Sequence, residues 1–157
     1  MLGKADKDRA MSIRIATIAD IEAWAGLRAE LWTDTSREEH LDEIAAMLAG
    51  PGGFCIGVLE EDGSGLRAFA EAALRHDHVN GCETTPVAFL EGVFVRAEHR
   101  GRGIGSRLVR AVRSWAHESG CSELGSDADL ANTASHAFHA AAGFEETQRV
   151  VFYRLRL

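Results

Sequence analysis

His99-Arg100-Gly101-Arg102-Gly103-Ile104-Gly105 is the stretch that decides how this chain folds. Glycines at alternate positions let the backbone curl tightly, and the missing Cβ atoms leave room for a ligand to approach the N–H groups. An apolar run precedes the stretch and an amphipathic one follows it. The start of the following helix adds unpaired N–H groups and the positive end of its dipole. Such a strand–turn–helix junction is an anion cradle sized for phosphate. Arg100 and Arg102 add charge at its rim. The pattern points to a phosphorylated cofactor.

Working outward, Val87 to Val95 is almost continuously apolar apart from Glu91 and Gly92, which predicts a central strand buried on both faces. Ile104 to Ser119 predicts a helix with Leu108, Val109, Val112 and Trp115 inward, stopped by Gly120. Cys121 to Ser126 reads as a short strand, Asn132 to Ala142 as a last helix closed by Gly143-Phe144, and Val150 to Leu157 as a final strand. Upstream, Ile13-Arg14-Ile15 alternates as a first strand, and Thr17-Ile18-Ala19-Asp20 is a capping box. The helix it opens carries Ile21, Trp24, Leu27, Leu31 and Trp32 on one face. Ser36 caps a second helix with Leu41, Ile44, Met47 and Leu48 inward, ended by Gly50-Pro51-Gly52-Gly53. Phe54 to Leu59 and Leu66 to Leu74 form a hairpin around Glu61-Asp62-Gly63-Ser64-Gly65. Arg75 to Pro86 is a polar loop of about a dozen residues, a length that often carries function.

The order β-α-α-β-β-β-α-β-α-β gives an α/β (α+β) fold, a mixed central sheet flanked by helices. At 157 residues it is one domain, over residues 12–157, with 1–11 read as a disordered leader. A Walker A loop is excluded because no Lys follows the glycines, and a dinucleotide fingerprint because the turn comes late, after a meander of strands. The net charge of −7 speaks against nucleic acid and suits a cationic substrate, although acidity also serves plain solubility. No run is long enough to span a membrane. Three widely spaced cysteines, Cys55, Cys82 and Cys121, argue for a reducing cytoplasmic setting, and no Cys/His spacing resembles a metal site.

Arg100-Gly101-Arg102-Gly103-Ile104-Gly105 resembles the Arg/Gln-x-x-Gly-x-Gly/Ala signature of the GNAT superfamily of N-acetyltransferases. The segment from Asn132 through Ala137-Phe138-His139 to Gly143-Phe144 is similar to the superfamily's Asn-…-Phe-Tyr-…-Gly-Phe. Further runs narrow the resemblance: Glu22 to Arg28 with Leu31-Trp32, Arg75-His76-Asp77-His78-Val79-Asn80-Gly81-Cys82, Pro86 to Gly92, Ser126-Asp127, and Gly143 to Thr147. These look like aminoglycoside 6′-N-acetyltransferases over almost the whole chain. The resemblance implies a single GNAT domain, splayed around acetyl-coenzyme A and needing no metal. It implies acetyl transfer to the 6′-amine of aminoglycosides, hence resistance, and a homodimer. Two alternatives remain: a GNAT enzyme for another amine, such as a polyamine or peptide N-terminus, or a non-catalytic binding module for acyl-coenzyme A or aminoglycoside.

By that resemblance, Phe94 and Val95 offer backbone groups to the pantetheine arm and thioester. Arg100, Gly101, Arg102, Gly103, Ile104, Gly105 and Ser106 hold the pyrophosphate. Asn132 either hydrogen-bonds the cofactor's arm or caps a helix, and the two are compatible. The acceptor amine arrives protonated, so a carboxylate must take a proton. Asp127, just past a strand end, ranks first, although a turn carboxylate would look the same. Glu91 ranks second; within an apolar strand it needs a partner or a polar cavity. Glu83 suits a substrate ammonium or is a solvated loop charge. Trp32 lines the acceptor cleft or is a core aromatic. Asp34 and the group Glu38, Glu39, Asp42 and Glu43 either enrich cations or form a solvated helix face. Two residues depart from the family pattern. His78 stands where the family has a Tyr that touches substrate. His139 stands where many members have a Tyr acid, so it either protonates the leaving thiolate or is a plain buried helix histidine.

Overall fold

The computed structural model describes residues 12–50, 55–62 and 65–157. The 1–11 leader, the predicted strand start at Phe54 and the 51–53 and 63–64 parts of two turns lie outside them. Five strands follow one another across a mixed sheet in the order β1-β2-β3-β4-β5. They are β1 Ser12–Ile15, β2 Cys55–Asp62, β3 Gly65–Arg75, β4 Val87–Val95 and β5 Leu124–Ser126. The first four pair antiparallel, and β5 joins β4 in parallel. The helices are α1 Ile21–Leu31, α2 Arg37–Ala49, α3 Ile104–Glu118 and α4 Thr133–Ala141.

The helix starts follow their predicted caps. Asp20 accepts from the Thr17 N–H at 2.7 Å and leads a 3₁₀ turn, Ile18–Asp20, into α1. Ser36 and Glu39 exchange side-chain and backbone bonds at the head of α2. Asp20 is also held by Arg14, and this pairing pulls its carboxyl down to about 2.

Strand β3 explains the layering. Ala68, Ala70 and Ala72 face α3, where their small side chains let Ile104, Leu108, Val109 and Val112 settle on the sheet. Phe69 faces the other way, beneath Trp24, Ala25 and Leu27 of α1 and Ile44 of α2. The sheet is therefore covered on both faces.

Two expectations change. Only Val87 to Leu90 of β4 are buried; Glu91 is exposed and Gly92 to Val95 are half-buried. The reason is that β5 pairs only with Ala88, Phe89 and Leu90, so beyond them β4 has a neighbour on the β3 side alone. The predicted strand Val150 to Leu157 is no strand in the single chain. Val150, Val151, Phe152, Tyr153, Leu155 and Leu157 are all exposed. Strand-forming residues need a neighbour to complete a ladder, and within one chain this segment has none. No helix among the described residues is long and apolar enough to cross a membrane.

Candidate functional site

The glycine turn forms as its sequence predicts. Gly101 and Gly103 adopt φ of +73° and +75°, the left-handed region that disfavours a side chain. A Cβ at either position would meet no atom within 4 Å, so the space around both glycines is open. The first backbone bond of α3 runs from the Arg107 N–H to the Gly103 carbonyl. The N–H groups of Ile104, Gly105 and Ser106 are therefore free of the helix ladder and mark an anion site. Gly105 is small for a different reason: a Cβ there would stand 2.7 Å from the Phe138 ring of α4. Arg100 and Arg102 do not simply fringe the rim. Arg100 Nε donates to the Val95 carbonyl at 2.8 Å, and Arg102 donates to the Glu98 carbonyl at 3.2 Å. The turn fits a pyrophosphate, and the one-sided backbone beyond Leu90, Phe94 and Val95 included, fits an extended ligand chain. Arg100 occupies one of the two lone pairs of the Val95 carbonyl.

Asn132 accepts from the Ser135 N–H at 3.0 Å and caps α4. That uses only its carbonyl oxygen, so its amide group stays available for a ligand.

On the opposite face of the sheet lies a cleft of about 510 Å³, lined by Arg28, Trp32, Thr35, Glu43, Met47, Glu71, Ala72, Ala73 and Glu91. A bulge builds its rim. Glu71 pairs with Gly92 and Ala72 with Leu90, which leaves Glu91 as the extra residue of β4. Glu91 meets Arg75 through both carboxylate oxygens at 2.9 Å, and Arg75 lies 3.6 Å over the Phe89 ring. The expected partner of Glu91 is thus an exposed arginine on the neighbouring strand.

The floor is a buried frame that the sequence does not single out. Glu71 is 3% exposed and receives Arg28 Nη1 on both oxygens at 3.1 Å. Burial pushes its carboxyl up to about 7, against the pull of Arg28. Arg28 also pairs with Glu43, donates to His40 Nδ1 at 3.3 Å, and stacks 4.8 Å from the Trp32 ring. His40 Nε2 lies 3.3 Å from the Trp32 carbonyl, which fixes the Nε2–H tautomer. Trp32 presses on β4 where Gly92 leaves space: a Cβ there would meet the indole at 2.6 Å.

The remaining predicted residues do not line this cleft. Asp34, His78 and Glu83 are exposed on their turn and loop, and Asp127 is exposed past the end of β5. The long loop is nevertheless anchored. Val79 is buried against Val87 and Phe89, and the Glu123 carboxylate accepts from the Glu83 and Thr84 N–H groups and from the Thr84 hydroxyl. These bonds hold the Glu123 carboxyl below its usual range. His139 lies between Phe138 and Phe144, with Nε2 2.9 Å from Ser126 Oγ. Among the described residues no group of three or more His, Cys, Asp or Glu stands together to hold a metal ion. Cys82 and Cys121 are free thiols.

Residues 19–144 match the acetyltransferase (GNAT) family. The chain is 49% identical over 138 residues to the aminoglycoside N(6′)-acetyltransferase type 1 of Serratia marcescens, covering 88% of this chain and 94% of the relative. The enzyme of the same name from Stenotrophomonas maltophilia is 45% identical over 94% of this chain and 95% of its own. Among solved structures, AAC(6′)-Iy in complex with the bisubstrate analogue CoA-S-monomethyl-acetylneamine superposes with a TM-score of 0.89. It is 40% identical, over 94% of this chain and 99% of that one. AAC(6′)-Ih from Acinetobacter baumannii gives 0.88 at 38% identity, over 94% and 99%.

Proposed function

This chain belongs to the GNAT acetyltransferase family, and from that premise we infer that it is an aminoglycoside 6′-N-acetyltransferase. It transfers acetyl from acetyl-coenzyme A directly to the 6′-amine of the drug, and a cell carrying it gains resistance. One observation carries the substrate side: Glu91, bulged out of β4, stands between the acidic cleft and the one-sided backbone of Gly92 to Val95. An amine held by that cleft lies next to an extended chain running along that backbone.

Bound acetyl-coenzyme A supplies the activated thioester. The turn from Arg100 to Ser106 holds its pyrophosphate, the Phe94 and Val95 backbone and the Asn132 amide its arm. Trp32 offers an aromatic face to a sugar ring or ammonium, and Glu91 a carboxylate. Asp34, His78 and Glu83 extend the acceptor surface from the neighbouring turn and loop. Asp127 takes the first proton from the arriving ammonium, with Glu91 the second candidate for that task. His139 serves the departing thiolate.

The enzyme works in the cytoplasm, in keeping with its free thiols. It acts as a homodimer: an apolar tail exposed from Val150 to Leu157, together with a three-residue edge strand at β5, invites a second copy. Light scattering tests that state.

The function is tested by thiol release with aminoglycosides that carry or lack a 6′-amine, for wild type and Asp127→Ala. Turnover confined to the 6′-amine compounds, with a fall in kcat for the variant, is expected. Turnover of polyamines or peptides in preference to aminoglycosides would overturn the substrate, and no thiol release with any amine would overturn the enzyme.

A further inference from the structure

The ladder between β4 and β5 ends at the pair Leu90 and Ser126, and beyond it the two strands part. Glu91 and Asp127 are the first residues on either side of the gap. At its base sits a hydrogen-bonded chain with defined direction. His139 Nδ1 lies 2.7 Å from the Ser135 carbonyl oxygen. A carbonyl only accepts, so Nδ1 carries the proton. In the neutral ring Nε2 is then the acceptor, and it lies 2.9 Å from Ser126 Oγ. The Ser126 hydroxyl can therefore donate to His139. The same Oγ lies 3.2 Å from the Leu90 carbonyl, which gives the hydroxyl proton a second acceptor in the gap. Phe138 and Phe144 contact the His139 ring at centroid distances of 5.7 and 5.1 Å and fix its plane.

We propose that Ser126 and His139 form a two-way proton shuttle that carries the proton lost by the attacking amine to the departing sulfur. The proposal rests on the acetyl-transfer function inferred above and adds Ser126 as a catalytic residue. The acceptor ammonium first loses one proton to Asp127 or solvent. As the neutral amine forms its C–N bond, its second proton moves to Ser126 Oγ while the Ser126 proton moves to His139 Nε2. The imidazolium is held by the Ser135 carbonyl. As the C–S bond breaks with its electron pair on sulfur, Nε2 returns its proton to Ser126 Oγ, and the Ser126 hydroxyl proton passes to the thiolate. Nothing is oxidised or reduced, and both residues end as they began. The chain of donors explains how this enzyme works with histidine where a tyrosine would reach the sulfur directly.

Two measurements test it. The first uses the free protein: ¹⁵N NMR of His139 should report the Nδ1–H tautomer, with an Nε2 shift that changes in Ser126→Ala. An Nε2–H tautomer would overturn the shuttle whether or not any variant folds. The second uses single turnovers with acetyl-coenzyme A and a 6′-amine aminoglycoside. Ser126→Ala and His139→Gln should each lower the single-turnover rate about 100-fold with little change in the aminoglycoside concentration that gives half the maximal rate, and the double variant should fall no further. The wild-type rate should bow in mixtures of H₂O and D₂O, because two protons move together, and the bow should vanish in Ser126→Ala. Rates that fall additively, or not at all, would overturn the shuttle alone. A wild type that acetylates no amine would overturn the inferred function and the shuttle with it.

Discussion

Replacing Gly92 with Ala tests whether Trp32 is a working surface of the cleft. The new Cβ would stand 2.6 Å from indole Cζ2, 2.7 Å from Cη2 and 3.3 Å from Leu31 Cδ2. Ordinary contacts between carbons lie near 3.5–4.0 Å, so the ring must retreat by about 1 Å. It has little room. Arg28 lies 4.8 Å from it on one side, and Phe69 is at 5.8 Å between ring centres. Overpacking of this kind costs about 1–3 kcal/mol, a fall in Tm of about 2–12 °C for a domain of this size. Because the ring lines the cleft, the same displacement should raise KM for the aminoglycoside about tenfold while leaving KM for acetyl-coenzyme A in place. Gly26→Ala is the control: it sits within α1 with nothing within 4 Å of its Cβ, and Ala there should hold or raise Tm. The assay is steady-state kinetics with both substrates varied, beside thermal melts. A Gly92→Ala protein with unchanged aminoglycoside KM would refute the role of Trp32, whatever its Tm.

Two more outcomes follow from the same geometry. Burial lifts the Glu71 carboxyl from an ordinary 4.5 to about 7, so the folded state holds its proton more tightly than the unfolded chain. The associated stability is complete below about pH 4.5 and is lost as pH rises through about 7, by at most on the order of 3 kcal/mol. Glu71→Gln should flatten the stability profile across that window, and denaturant unfolding at several pH values that gave parallel profiles for both proteins would contradict it. Gly103→Ala forces a side chain to φ +75° at the head of α3. It should cost about 1–2 kcal/mol and raise KM for acetyl-coenzyme A, with the aminoglycoside KM unmoved; titration with coenzyme A checks the binding directly.

The local part of this fold was legible because local chemistry sets it. Thr17 with Asp20, Ser36 with Glu39, and the glycines at 101 and 103 all act within a few residues of their own position, and each does in the structure what its type predicts. The carboxylate in an apolar strand was a legible signal too, and it marks Glu91. The same signal is present in Ala68-Phe69-Ala70-Glu71-Ala72, yet Glu71 is the more deeply buried of the two. What the sequence hides is the partner: Arg28 lies 43 residues earlier, on a helix whose heptad-like apolar spacing accounts for its neighbours and says nothing of it. The bulge that turns Glu91 outward is a property of two strands together. The tail fails for a related reason. Val150 to Leu157 has the composition of a strand, but a strand exists only against a partner, and the single chain pairs this segment with none of its edges.

The charges in the cleft divide into a frame that stays and a surface that exchanges. Arg28 and Glu71 have side chains only 6% and 4% exposed, and separating them would strand a charge in the interior, at a cost of about 3–5 kcal/mol. Glu43 is 56% exposed on its side chain, and Arg75 and Glu91 are 42% and 36% exposed. An exposed pair such as Arg75 and Glu91 contributes at most about 1 kcal/mol, so an incoming ammonium can take Glu91 from its arginine at small cost, whereas Glu43 is held by the buried Arg28. The acidity that matters to a polycation is therefore not the net charge of −7 spread over the chain, nor the full count of carboxylates in the cleft. It is Glu91, whose present partner is cheap to displace and which lines the same cleft as Trp32.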